Sequence, residues 1–319
     1  MKTQVLTVSD GCSRAVELLQ AGDVVGLPTE TVYGLGAAAL NSLACAKIFE
    51  VKDRPLSDPL IVHLPDKEDL RALARPNALA MQLAEAFWPG PFTMILPRRK
   101  VVPDLVTAGS DSVALRMSAH PGFQSVALAF GSPIAAPSAN RFGRISPTCA
   151  ADVVSELGGR IPLVLDDGPC RHGLESTIVR LRDDGLEILR HGPVTQDQLA
   201  EFGKILVPRE AMAVPGGMKS HYAPRTPLEI LPIAGRPSGS GSGEGDLSRS
   251  GLLAWTLDGE GFAVVERLSE TQDLREAAAG LFRAMRRLDD AGLDRIFAEP
   301  VPEHGLGVAI MDRLRKAAA

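Results

Sequence analysis

Cysteine is scarce and scattered in this sequence: Cys12, Cys45, Cys149 and Cys170 form no C-x-x-C pair and have no histidine at metal-ligand spacing. That pattern argues against a disulfide framework and against zinc. Aromatic residues are 4% of the 319 and are not interleaved with basic ones, so the stacking platform of an RNA-binding surface is missing. Nor is positive charge in surplus. With 34 Lys and Arg against 39 Asp and Glu the formal net charge is −5, and neither side of Leu228 is a polycation. An anion site must then be a local gathering of cations, which suits a small phosphorylated ligand better than a long backbone. No apolar run approaches the roughly 20 residues of a membrane span, and the first residues do not read as a signal peptide. The expected compartment is the cytoplasm.

What is present is an ordinary globular composition, 45% hydrophobic and rich in glycine and proline, at a length that favours two domains. Hydrophobic periodicity predicts a helix over 13–21 and a strand over 23–27. Further strands are expected at 60–63, 92–96, 112–116, 133–136, 163–165 and 177–181, with helices at 44–49, 77–87, 123–130, 150–157 and 196–202 between them. Together these give an α/β fold with a mixed sheet, whose loops hold most of the unusual polar residues. From 203 to 228 periodicity is lost in a proline-rich arm that cannot be a continuous helix, and 236–245 reads as a flexible Gly/Ser linker. Strands at 252–255, 262–266 and 294–297 and helices at 271–288 and 305–316 form a small β/α unit beyond it. The expected domains are 1–203, an arm over 204–245, and 246–319.

Several short motifs stand in the loops. PTETVYGLG, from Pro28, packs two Thr hydroxyls, a carboxylate and two glycines into a turn after a strand, and it matches neither G-x-x-x-x-G-K-[ST] nor G-x-G-x-x-G. VKDRPLSDPLIVH, from Val51, places Lys52 and Arg54 two residues apart. In an extended segment they would converge on a polyphosphate, although a solvated charged loop has the same composition. PIAAPSAN ends in Ser138 and Asn140, small groups that suit either phosphate oxygens or a simple turn. His63 ends an apolar strand and equally fits a hydrogen-bonded core histidine. Arg116 closes the strand-like SVALR, where a planar fork reaches for a carboxylate or caps the surface.

Taken in order, PTETVYGLG, KDRP, DPLIVH, WPGPFT, VALRMSAHP, APSAN, GLEST and ILRHGP resemble the YrdC-type threonylcarbamoyl-AMP synthases. The arm and small C-terminal unit make the chain similar to the longer, two-domain form of that family. The resemblance implies a YrdC-like twisted mixed sheet with helices, joined by the proline-rich arm to a small Rossmann-like β/α domain. It implies a nucleotidyltransferase that makes threonylcarbamoyl-AMP and pyrophosphate from L-threonine, bicarbonate or CO2, and ATP with Mg2+, for t6A modification of tRNA by downstream transfer machinery. By matching motifs, Lys52, Arg54, Ser138 and Asn140 would gather around the phosphates as the catalytic set. Thr31, His63, Arg116 and Ser176 would surround threonine. Arg54, Asp58, Ser112, Ser138, Ser146, Arg190 and Tyr222 would contact ATP. No protein nucleophile is required, in keeping with the absence of a nucleophile elbow. The arm with Lys219, His221 and Tyr222 would be a lid over a water-sensitive product. Two positions depart from the pattern: Asp58 stands where relatives often carry Asn, and Ala136 where they can carry Thr. An RNA-binding or ribosome-assembly protein using the same cavity is the alternative reading. Hydrogenase-maturation carbamoyl transfer ranks below both, because the chain lacks the additional zinc-finger-like cysteines.

Overall fold

The structure, a computed structural model, describes residues 2–208, 214–216, 221–232 and 247–319. Lys219 and the linker 236–245 lie outside the described residues. The chain divides into two units, one of Met1–Phe142 with Ser146–Gly217, the other of Gly143–Ile145 with Met218–Ala319.

In the first unit, helix Val8–Gln20 starts earlier than its apolar spacing suggests, because the Thr7 hydroxyl accepts the Asp10 N–H and caps the first turn. Its inward stripe, Ala15, Leu18 and Leu19, packs with Val25, Leu27, Phe123 and Leu165. Each such side chain contributes about 1.5–3 kcal/mol on leaving water. The strands join one eleven-stranded mixed sheet. Its central order is Val25–Leu27, Gly34–Ala38, Ile134–Ala135, Ile61–His63, Ser112–Arg116, Phe92–Pro97, Thr177–Arg182 and Gly185–Arg190.

Two local expectations are corrected. The glycines of PTETVYGLG are not all turn: Gly34–Ala38 is a strand pairing antiparallel with Val25–Leu27. A Cβ at Gly36 would stand 2.7 Å from Leu27 Cδ1, so the glycine serves close packing inside the sheet. Lys52 is not in an extended segment but ends helix Ser42–Lys52, and Asp53 then turns the chain with a left-handed φ of 53°. Strands Gln4–Thr7 and Gly185–Arg190 are further elements that periodicity did not mark.

The second unit is a four-stranded parallel sheet in the order Leu228–Ile230, Arg295–Ala298, Ser250–Ala254, Val264–Arg267. Helix Leu274–Asp290, capped by Asp273 accepting from Arg275 and Glu276, packs on it together with helix Leu306–Ala317. Among the described residues no helix is long and apolar enough to cross a membrane.

Candidate active site

In the first unit, parallel strands Ile61–His63 and Ser112–Arg116 end side by side, with His63 in register with Arg116 and Arg116 in register with Thr93 on the next strand. The carboxyl ends of parallel strands are where open α/β sheets place ligands. Arg116 does reach a carboxylate, and it is the chain's own. Its Nη2 donates to Glu30 Oε1 at 2.6 Å, Nη1 to the Thr31 hydroxyl at 2.9 Å, and Nε to the Gly90 carbonyl at 3.2 Å. Ser118 donates to the other Glu30 oxygen. Burial alone would raise the Glu30 pKa, but the Arg116 charge and the hydrogen bonds from Ser118 and Arg116 outweigh it and lower it to about 2.

His63 is buried and held neutral, its pKa pushed down to about 3 by burial first and by the Arg116 charge second. Its Nδ1 has no hydrogen-bond partner among the described residues. Ser176, also buried, shares a hydrogen bond with Thr93 at 2.7 Å and accepts one from Arg190 at 3.1 Å. Thr31, His63, Arg116 and Ser176 are therefore linked, directly or through Thr93, along one row of strand ends.

The second cluster adjoins through Arg190. Lys52, fully buried at the helix end, donates through Nζ to the Ser138 carbonyl at 2.6 Å and to the Asn140 carbonyl. Burial, then the nearby Arg54 charge, hold its pKa well below the ordinary lysine range. Arg54 pairs with Asp58 at 2.9 Å, both side chains buried, so a cation does stand against the unusual aspartate. Burial nevertheless leaves the Asp58 pKa raised, against the pull of Arg54, Lys52 and Arg190. Ser146 donates to Glu175, and Ser112 shares a hydrogen bond with Ser110 at 2.9 Å. Arg190 also donates to the Pro215 carbonyl at 2.9 Å, and Val214 packs on the sheet face formed by Ile61, Ile95, Ala114 and Ile178. Tyr222 belongs to the second unit, where it stacks on Phe282 and lies under the Arg313 guanidinium.

Sequence reasoning missed Glu30, Thr93, Ser118 and Glu175 as members of the site. All four lie inside or beside quoted motifs; what the sequence did not reveal is their pairing across the fold.

Buried cations, a neutral histidine and small hydroxyls at the carboxyl ends of a mixed sheet define an α/β protein equipped for an anionic ligand and a small polar one. A family model described as "Telomere recombination", the Sua5/YciO/YrdC family, matches residues 17–192. A second model, described as "Threonylcarbamoyl-AMP synthase, C-terminal domain", matches residues 194–319. The threonylcarbamoyl-AMP synthase of Bacillus subtilis (strain 168) is 40% identical, over 96% of this chain and 92% of its own length. That of Pyrococcus abyssi is 37% identical over 95% and 92%. The crystal structure of P. abyssi Sua5 complexed with L-threonine superposes with a TM-score of 0.88 at 34% identity, covering 99% of this chain and 98% of that one. The chain belongs to the Sua5/YciO/YrdC family of threonylcarbamoyl-AMP synthases.

Proposed function

We infer that the protein is an L-threonylcarbamoyladenylate synthase, a nucleotidyltransferase that converts L-threonine, bicarbonate or CO2, and ATP into threonylcarbamoyl-AMP and pyrophosphate for t6A formation in tRNA. The carrying observation is the match of both halves of the chain to relatives named for this product. Those names support the enzyme reading over an RNA-binding one. The place of work is the cytoplasm, and the product passes to a downstream transfer machinery.

In this reading threonine's carboxylate approaches Arg116 at Nη1. There it competes with the neutral Thr31 hydroxyl rather than with Glu30, and a charge-assisted bond is roughly twice as strong as a neutral one. The unpartnered His63 Nδ1 accepts a hydrogen bond from the threonine hydroxyl or amine, which supports discrimination against analogues lacking that group. The amine adds to the carbon of CO2, giving a carbamate; a carbamate oxygen attacks the α-phosphorus of ATP, and the bond to pyrophosphate breaks. Lys52, Arg54 and Arg190 offset the charge on the phosphates, and the Ser138–Asn140 turn, pinned by Lys52, positions them. An arriving phosphate favours the charged form of Lys52.

Mg2+ enters with ATP as part of the substrate. No three His, Cys, Asp or Glu residues are grouped to cage a metal among the described residues, and Asp58 and Glu30 are committed to Arg54 and Arg116. Mg2+ would be carried with the nucleotide, where it would offset phosphate charge. The arm acts as a lid: within it Val214 packs on the sheet face of Ile61, Ile95, Ala114 and Ile178, and the Pro215 carbonyl accepts from Arg190.

The test is pyrophosphate release from MgATP and bicarbonate with and without L-threonine. Release should require both and vanish in Lys52→Ala. Release indifferent to threonine would refute the reading.

A further inference from the structure

The second unit carries a cavity of about 880 Å³ that the synthase reading does not use. It lies beyond the carboxyl ends of strands Leu228–Ile230, Ser250–Ala254 and Arg295–Ala298, bounded by Leu231, Trp255 and Glu299. Two neighbouring strands part company there. After Ala254 the chain folds Leu257 and Phe262 onto the sheet face made by Leu252, Ala254 and Phe297. After Ala298 it enters helix Leu306–Ala317, which packs against helix Leu274–Asp290 on the opposite face, the side on which Gly251 meets Leu288. Adjacent parallel strands that diverge to opposite faces leave a crevice between them, and open parallel sheets hold ligands in such crevices.

The floor of this crevice is already neutralised. Oε2 of Glu299 accepts the backbone N–H groups of Trp255, Thr256 and Leu257 at 2.7, 2.7 and 2.9 Å, and Oε1 accepts the Thr256 hydroxyl. Three successive amides converging on one point form an anion-binding concavity. Here a side chain of the chain itself is the anion. A phosphate would have to displace that carboxylate and then remain beside its charge. Above Glu299 the walls are Ile230, Leu231, Trp255, Val301 and Met311, and the Glu303–Arg315 pair stands at the exposed edge.

We propose that this crevice, lined among the described residues by the C-terminal unit alone, is a second ligand site for an uncharged, ring-bearing, largely apolar molecule without phosphate. The volume falls in the range of drug-sized ligand pockets, roughly 300–1,000 Å³. Trp255 and Met311 supply apolar, polarisable surface to the lining, while the Met311 sulfur accepts from the Val301 amide. The carboxylate seated on the strand-end amides selects against phosphorylated ligands at the position where the fold would otherwise receive them. The site does not depend on the synthase reading.

Nile red, an uncharged ring system that brightens in apolar surroundings, is the probe. Titrated into the full chain with isotope-labelled methionine methyls, it should give saturable one-to-one emission and shift the Met311 methyl resonance. Pro302→Trp and Pro232→Trp, at exposed positions on the mouth, should each weaken binding at least tenfold without changing pyrophosphate release. AMP should not displace the probe. An unmoved Met311 signal, binding that neither Trp variant weakens, or displacement by AMP would each overturn the proposal.

Discussion

Replacing Glu30 by Gln removes the charge that the buried Arg116 guanidinium faces at 2.6 Å, with the two side chains only 7% and 4% exposed. Gln keeps the shape and one acceptor but leaves a buried cation without its counter-charge, which costs about 3–5 kcal/mol in comparable pairs. The lowered pKa of Glu30, which reflects the same pair, points in the same direction. A carboxyl lowered from 4.5 to about 2 on folding contributes about 3 kcal/mol at neutral pH. The sign follows from the direction of the shift: the contribution is complete above about pH 4.5 and is lost as the pH falls through about 2. In calorimetric melts at pH 7 the first unit of Glu30→Gln should therefore lose roughly 6–20 °C, taking about 2–4 °C per kcal/mol for a domain of this size. Below about pH 3 the difference from the parent chain should shrink. A loss under about 1 kcal/mol at pH 7, or an unchanged difference at low pH, would mean that the pair does not hold the site together.

Arg116→Ala should weaken threonine binding by at least tenfold in calorimetry while leaving ATP affinity within about twofold. The double variant with Glu30→Ala removes the stranded carboxylate and checks that the effect is not a folding loss. Gly192→Ala places a Cβ 2.5 Å from the Glu175 carbonyl and 2.6 Å from the Thr177 amide; it should displace the GLEST segment and reduce turnover by at least tenfold, and a fully active variant would contradict the packing described. Ending the chain after Gly203, which also removes the edge strand Ile205–Leu206, should abolish turnover while the rest of the first unit's sheet stays folded by circular dichroism, and full activity in that truncation would remove the role given to the arm.

The α/β class and the two-domain organisation were legible because apolar runs and turn residues are local signals. Helix starts were less so: Val8–Gln20 opens with polar residues and owes its first turn to Thr7, a cap that periodicity does not weigh. Strands as short as Ile205–Leu206 carry too few residues to show alternation, and Gly34–Ala38 hid among glycines that read as a turn. Around the candidate site, His63 and Arg116 read as closing strands, where the structure has them, whereas Lys52 reads as extended and instead ends a helix. Partner choice was invisible. That Arg116 meets Glu30, and that Lys52 spends its donors on the carbonyls of Ser138 and Asn140, depends on segments far apart in sequence.

That separation has a consequence for how the protein comes into being. Glu30 and Arg116 lie 86 positions apart, as do Lys52 and Ser138, while Tyr33 ties to the Gly168 carbonyl across 135. Contacts of such span close late, after most of the loop entropy between them has been overcome. During synthesis, the earlier partners must wait unfolded or loosely collapsed until the later strands emerge. The clusters around Arg116 and Lys52 thus cannot close until nearly the whole first unit has left the ribosome.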